Sequence, residues 1–134
     1  MNKKIVLTFA ACSVLLFGFS KKSYSDEQLI KAIHKVESGG RTDNKIFGDN
    51  GKAIGPLQIH YANWKDATDF DKSIGGKYSD CYNLEYSKKI FVAYMSRYAK
   101  GKDAETKARI WNGGIAGADK GSTKKYWTKV KANL

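Results

Sequence analysis

The sequence predicts a mainly α domain of the α+β kind, a small helical body carrying one short β-hairpin. Three observations carry that prediction. Apolar residues recur at helical spacing in segments that begin at Asp26, Leu84 and Asp103. One Asn-Gly pair, Asn50-Gly51, separates two short apolar runs as a hairpin turn does. A chain of 134 residues with no internal repeat, linker or low-complexity tract holds one domain at most.

The domain is expected over residues 26–134, behind a secretory signal peptide at 1–25. Lys3-Lys4 form a positive start, residues 5–19 are an apolar run, and Ser23-Tyr24-Ser25 offers a small-x-small cleavage pattern before Asp26. The run is too short and wrongly flanked for a stable membrane span. A lipoprotein cut before Cys12 is the runner-up, but Phe9-Ala10-Ala11-Cys12 matches poorly and Val14-Leu15-Leu16-Phe17 prolongs the apolar run. Simple cleavage after Ser25 is favoured, and with it a secreted or periplasmic protein.

With Lys3, Lys4, Lys21 and Lys22 removed, the formal charge falls from +11 to +7. Such a surface attracts polyanions, and for an exported protein these are envelope polymers or an anionic membrane surface. Nucleic acid is not expected, because the basic residues are scattered and no binding motif accompanies them. Cys81 is then the only cysteine, so no intramolecular disulfide forms and stability must come from packing. Cys81 itself reads as a small buried hydrophobe.

Taking the elements in order, Ser25-Asp26-Glu27-Gln28 fits a capping box at the start of the first helix. Leu29, Ile30, Ile33 and Val36 share one face, and Gly39-Gly40 supplies the stop. Residues 45–48 and 52–54 flank Asp49-Asn50-Gly51 as the hairpin. Gly55-Pro56 opens the next segment, with proline suited to a first helical position, and residues 57–64 read as a short helix or two turns. Gln58 stands inside that apolar run, either satisfying backbone groups or facing a cleft. Residues 65–79 turn polar and carry Gly75-Gly76, which reads as an ordered loop.

Residues 84–99 form the clearest helix, with Leu84, Ser87, Phe91, Tyr94, Met95 and Tyr98 tracing one face and Ile90 beside it. It is the expected central packing helix, ended by Gly101. Residues 103–111 form another, with Ala104, Ala108 and Trp111 on a compatible face, stopping at Asn112-Gly113-Gly114. Ser122 or Thr123 then precedes a short closing helix around Tyr126, Trp127 and Val130.

The chemistry on offer is a pair of carboxylates twelve residues apart. Glu37 lies one turn beyond Ile33, so its side chain leaves the first helix at the edge of the buried stripe. Partial desolvation and the negative end of the helix dipole both favour its protonated form. A carboxylic acid that keeps its proton near neutral pH can donate it to a leaving group. Asp49, beside a glycine-flanked turn, is hydrated. Contrasting environments of this kind separate acid from base roles. No metal-ligand spacing, phosphate-binding glycine loop or Gly-x-Ser-x-Gly elbow is present, and His34, His60 and Cys81 are not spaced as a zinc site or a triad. No metal or cofactor is expected.

These residues resemble the invertebrate-type, destabilase-like lysozymes of the wider lysozyme-like superfamily. Val36-Glu37-Ser38-Gly39 is similar to the catalytic glutamate segment, and Asp49 falls where that family keeps its second acid. Gly55-Pro56-Leu57-Gln58-Ile59 with Trp64-Lys65-Asp66, Tyr94-Met95-Ser96-Arg97-Tyr98, Ala108-Arg109-Ile110-Trp111-Asn112-Gly113-Gly114, and Gly121-Ser122-Thr123 with Tyr126-Trp127 follow in the family's order. The chain departs in having no disulfide available and in carrying Trp111 where a histidine is common. It also has a slightly shorter hairpin-to-Gly55 stretch.

The resemblance implies a lysozyme-like helical domain whose hairpin flanks a substrate cleft. It implies cleavage of the β-1,4 bond between N-acetylmuramic acid and N-acetylglucosamine in peptidoglycan; a monomer is expected. Glu37 would protonate the glycosidic oxygen, and Asp49 would act as nucleophile or electrostatic stabiliser. Gln58 and Asn112 are candidates for hydrogen bonds to the sugar. Trp64, Trp111 and Tyr61 would serve as an apolar sugar platform or as core. Lytic transglycosylases share Glu-Ser-Gly, Gly-x-x-Gln and an Asn-x-Gly segment, and usually work with the glutamate alone. A cationic wall-binding protein without cleavage is the non-enzyme alternative. Isopeptidase activity, linked to the destabilase group, ranks last because no Ser-His or Cys-His arrangement supports it.

Overall fold

A computed structural model describes residues 22–43 and 45–134. The apolar run at 5–19 and the cut before Cys12 lie outside the described residues. Within them are five α-helices, α1 (Asp26–Ser38), α2 (Tyr61–Phe70), α3 (Leu84–Tyr98), α4 (Ala104–Gly113) and α5 (Lys124–Lys131). A three-stranded antiparallel sheet of β1 (Phe47–Gly48), β2 (Ala53–Ile54) and β3 (Ile59–His60) lies between α1 and α2 in the chain. No helix among the described residues is long and apolar enough to cross a membrane.

Helix α1 begins as its sequence requires. The Gln28 N–H donates to Ser25 Oγ at 3.2 Å, and the Ser25 N–H donates to Gln28 Oε1 at 2.9 Å. The boundary expected at Ser25 therefore falls on a residue that caps the helix. Leu29, Ile30, Ala32 and Ile33 are buried. Helix α3 starts on an Asn83 side chain that accepts from the Tyr86 N–H at 3.0 Å. It stands between α2 and the group α1, α4 and α5, burying Ile90, Phe91, Tyr94 and Met95. Phe91 and Tyr94 pack on Trp111 of α4, with ring centroids 4.9 and 5.9 Å apart. Val130 closes the core from α5.

Two readings of the sequence after the hairpin need correction. Pro56 does not begin a helix. Gly55 is left-handed (φ 76°), and residues 55–58 turn β2 back into β3, with Ile54 opposite Ile59 and Ala53 opposite His60. The helix starts only at Tyr61. The stretch from Lys65 onward is not a loop either, since α2 runs to Phe70 and 3-10 turns follow at Lys72–Ile74 and Tyr78–Tyr82. Polar contacts hold α2 in place of a broad apolar stripe. Arg97 of α3 donates to the Asp66 carbonyl at 2.8 Å, and Tyr98 Oη donates to Asp66 Oδ2 at 3.0 Å.

The hairpin exists, but its strands are two residues long and its connection is a left-handed turn through Asp49–Gly51, longer than a two-residue Asn-Gly turn. Both Asp49 (φ 48°) and Asn50 (φ 54°) sit in the left-handed region. Tyr78 pins the sheet from below, donating to the Ile59 carbonyl at 2.6 Å and to that of Lys52 at 3.2 Å. Cys81 is buried, and burial pushes its thiol up to about 12. That makes it an inert packing residue.

Candidate active site

Glu37 occupies the last turn of α1, where left-handed Gly39 (φ 67°) ends the helix and donates to the Lys35 carbonyl at 3.0 Å. The next residue, Ser38, fastens that end to the sheet side: its Oγ donates to the Pro56 carbonyl at 2.9 Å and lies 3.2 Å from the His34 carbonyl. The end of α1 that carries Glu37 is thus held against the turn between β2 and β3. From the other side, Tyr126 of α5 donates its hydroxyl to Glu37 Oε1 at 2.6 Å. Withdrawal from water holds Glu37 above the ordinary glutamate range, and the Tyr126 hydrogen bond works against that rise. Burial, and then the neighbouring Glu37 charge, raise the Tyr126 phenol well above its usual value, so it stays a donor.

Asp49 reaches the same place from the hairpin. It is exposed, in the left-handed turn after Gly48. Gly48 lies close under the Gln58 amide: a Cβ there would come to 2.1 Å from Gln58 Oε1, so a larger residue would displace that side chain. Gln58 is itself left-handed (φ 50°), held so by the Gly55 carbonyl, which accepts both its backbone N–H (3.0 Å) and its side-chain Nε2–H (2.9 Å). Strained backbone at two adjoining cleft residues is kept where surrounding bonds over-determine it. His60, on β3, brings Nε2 to 3.8 Å from Asp49 Oδ2.

Together Glu37, Asp49, Ala53, Gln58, His60, Asn63, Trp111 and Asn112 line one cleft of about 260 Å³. Its lining is largely polar, and no lysine or arginine contributes to it among the described residues. Amides from Gln58, Asn63 and Asn112 offer paired donors and acceptors of the kind sugar hydroxyls and acetamido groups engage. One wall presents a reluctant acid and another a hydrated carboxylate, a set suited to proton donation coupled to stabilisation of developing positive charge.

Five residues singled out from the sequence meet here: Glu37, Asp49, Gln58, Asn112 and Trp111. Trp111 is only 5% exposed and mostly core, with a small part of it lining the cleft. Gln58 answers to both of its alternatives, satisfying a backbone carbonyl and facing the cleft. Tyr61 is outside the lining; it is 55% exposed and packs on Trp64 and Tyr78 with centroids 5.3 and 5.4 Å apart. Trp64 is tied down by its Nε1–H to Tyr86 Oη at 3.0 Å. Sequence reasoning missed His60, Asn63 and Tyr126 at the site. The first two could have been found only by placing β3 before α2.

The fold is lysozyme-like: the crystal structure of Tapes japonica lysozyme superposes with a TM-score of 0.67 at 27% identity, covering 82% of this chain and 93% of that one. Lysozyme 1 of Crassostrea virginica is 35% identical over 111 residues, 79% of this chain but only 58% of that protein's length. The lysozyme of Meretrix lusoria is 31% identical over 110 residues, 78% of this chain and 87% of its own. No family model matches the sequence. The chain belongs to the invertebrate-type lysozymes.

Proposed function

We propose that the protein is an exported muramidase that hydrolyses the β-1,4 bond between N-acetylmuramic acid and N-acetylglucosamine in peptidoglycan. The observation that carries this reading is that Glu37 and Asp49, from separate elements, line one polar cleft in a chain of the lysozyme family. Glu37 gives its proton to the glycosidic oxygen as the bond to the anomeric carbon breaks, and the bonding electrons leave with that oxygen. Asp49 meets the positive charge that develops on the sugar, as nucleophile or as fixed anion. Gln58, Asn63 and Asn112 orient the sugar through its hydroxyl and acetamido groups. Export rests on the leader expected at 1–25, and the net charge of +7 left once the leader's four lysines are removed from the chain's +11 draws the enzyme to an anionic envelope.

Asp49→Asn tests the second acid. The substitution keeps the size, removes the charge and turns one acceptor oxygen into a donor, so lysis of purified cell walls is expected to slow roughly 100-fold or more. Near-wild-type lysis by Asp49→Asn would mean that the glutamate works alone.

A further inference from the structure

A carboxylic acid has two oxygens, and only one of them can carry the proton to the substrate. At Glu37 they are not equivalent. Oε1 accepts a 2.6 Å hydrogen bond from the Tyr126 hydroxyl across 89 residues of chain, while no protein donor among the described residues reaches Oε2. Resting on the assignment of Glu37 as the acid, we propose that Tyr126 is its positioning residue, holding Oε1 so that Oε2 carries and delivers the proton.

The arrangement suits that task on three counts. An acceptor bond at Oε1 places the acid's own hydrogen on Oε2, because the carbonyl-type oxygen is the one that accepts. Once Oε2 has given its proton to the leaving oxygen, the Tyr126 bond becomes charge-assisted and stronger, so it stabilises the carboxylate that the reaction creates. The donor is also fixed in place. Just before α5, Thr123 donates its hydroxyl to the Gly117 carbonyl at 2.7 Å, and Arg109 of α4 donates Nε–H to Thr123 Oγ1 at 2.9 Å and a terminal N–H to the Lys120 carbonyl at 2.9 Å. A Cβ on Gly117 would lie 2.0 Å from the Arg109 carbonyl, so this loop and α4 are in close backbone contact. Helix α5 therefore presents Tyr126 from a braced position.

The groups facing Glu37 set the sign of the expected pH effect. From α5 comes Tyr126, from the hairpin Asp49, from β3 His60, and from α4 the neutral Trp111 and Asn112. Of these, Tyr126 is the one that bonds the carboxyl directly. Removing its hydroxyl takes away an interaction that favours the anion, so Glu37 holds its proton to higher pH.

The test is the pH profile of kcat for wild type, Tyr126→Phe and Glu37→Gln on a soluble peptidoglycan fragment, with thermal melts of each. Tyr126→Phe is expected to lower kcat roughly tenfold with KM little changed, and to move the alkaline limb to higher pH. Replacing Tyr126 by 3-fluorotyrosine, a stronger donor of nearly the same shape, is expected to move the limb the other way. It keeps the test decisive if Tyr126→Phe folds poorly. An unmoved limb in both variants, with Glu37→Gln inactive, would overturn the Tyr126 assignment alone. Activity in Glu37→Gln would overturn the catalytic reading beneath it.

Discussion

Glu37→Gln is expected to lower cell-wall lysis by roughly a thousandfold or more and to leave the fold as stable as before or more so. The loss follows from chemistry: an amide has nearly the shape of the carboxyl but no transferable acid proton. Its oxygen can still accept from Tyr126, so the site stays packed. The stability prediction follows from burial. Desolvation raises the Glu37 pKa in the folded chain above its ordinary value of 4.5. The folded state therefore binds a proton that the unfolded state has already released, and stability present below 4.5 is lost as pH rises through the raised folded value. Glutamine has nothing to ionise, so the variant loses this slope. Melting midpoints at pH 4.5 and about pH 7 check it: the variant should gain on wild type at the higher pH. Parallel midpoints would show that burial does not perturb the carboxyl.

Gly55→Ala is expected to be the most damaging small substitution near the site. Its Cβ would lie 1.8 Å from the Cys81 carbonyl oxygen, 2.7 Å from that carbonyl carbon and 3.2 Å from Tyr82 Cα. All three are backbone atoms, so no side chain can swing away. Gly55 is also left-handed, donates to the Ile46 carbonyl at 2.7 Å, and offers the carbonyl that holds Gln58. The cost should be at least about 3 kcal/mol, a fall in melting midpoint of roughly 10 °C or more. Gly51→Ala separates the causes. That glycine has φ 83° with nothing within 4 Å of its Cβ, so it carries the left-handed strain alone, about 1 kcal/mol. Equal losses at the two positions would mean that the contact with Cys81 is not tight.

How much of this was legible beforehand depended on how local the cause was. Helices α1, α3 and α4 announce themselves through caps and apolar spacing that lie within the segment, and Glu37 inherits its place from that spacing. Helix α2 does not, because Tyr61, Trp64 and Ala67 make a narrow stripe in a polar segment. Its support comes from Arg97 and Tyr98, about 30 residues away. Pro56 misled for the same reason, since pairing of Ile59 with Ile54 outweighs a preference for a helix start. Tyr126 carries no local mark of its role: a tyrosine in a short amphipathic helix looks like packing until the fold sets it against Glu37. His60 and Asn63 became site residues only once the turn at 55–58 reversed the chain.

The central claim is that a glutamic acid held against Tyr126 and an aspartate on the hairpin hydrolyse a polysaccharide lying in the cleft they share. Digestion of purified peptidoglycan in ¹⁸O-labelled water, with mass analysis of the fragments, tests it most directly. Hydrolysis predicts one heavy oxygen at each new reducing N-acetylmuramic acid end. Unlabelled 1,6-anhydro ends, or intact glycan strands, would contradict it.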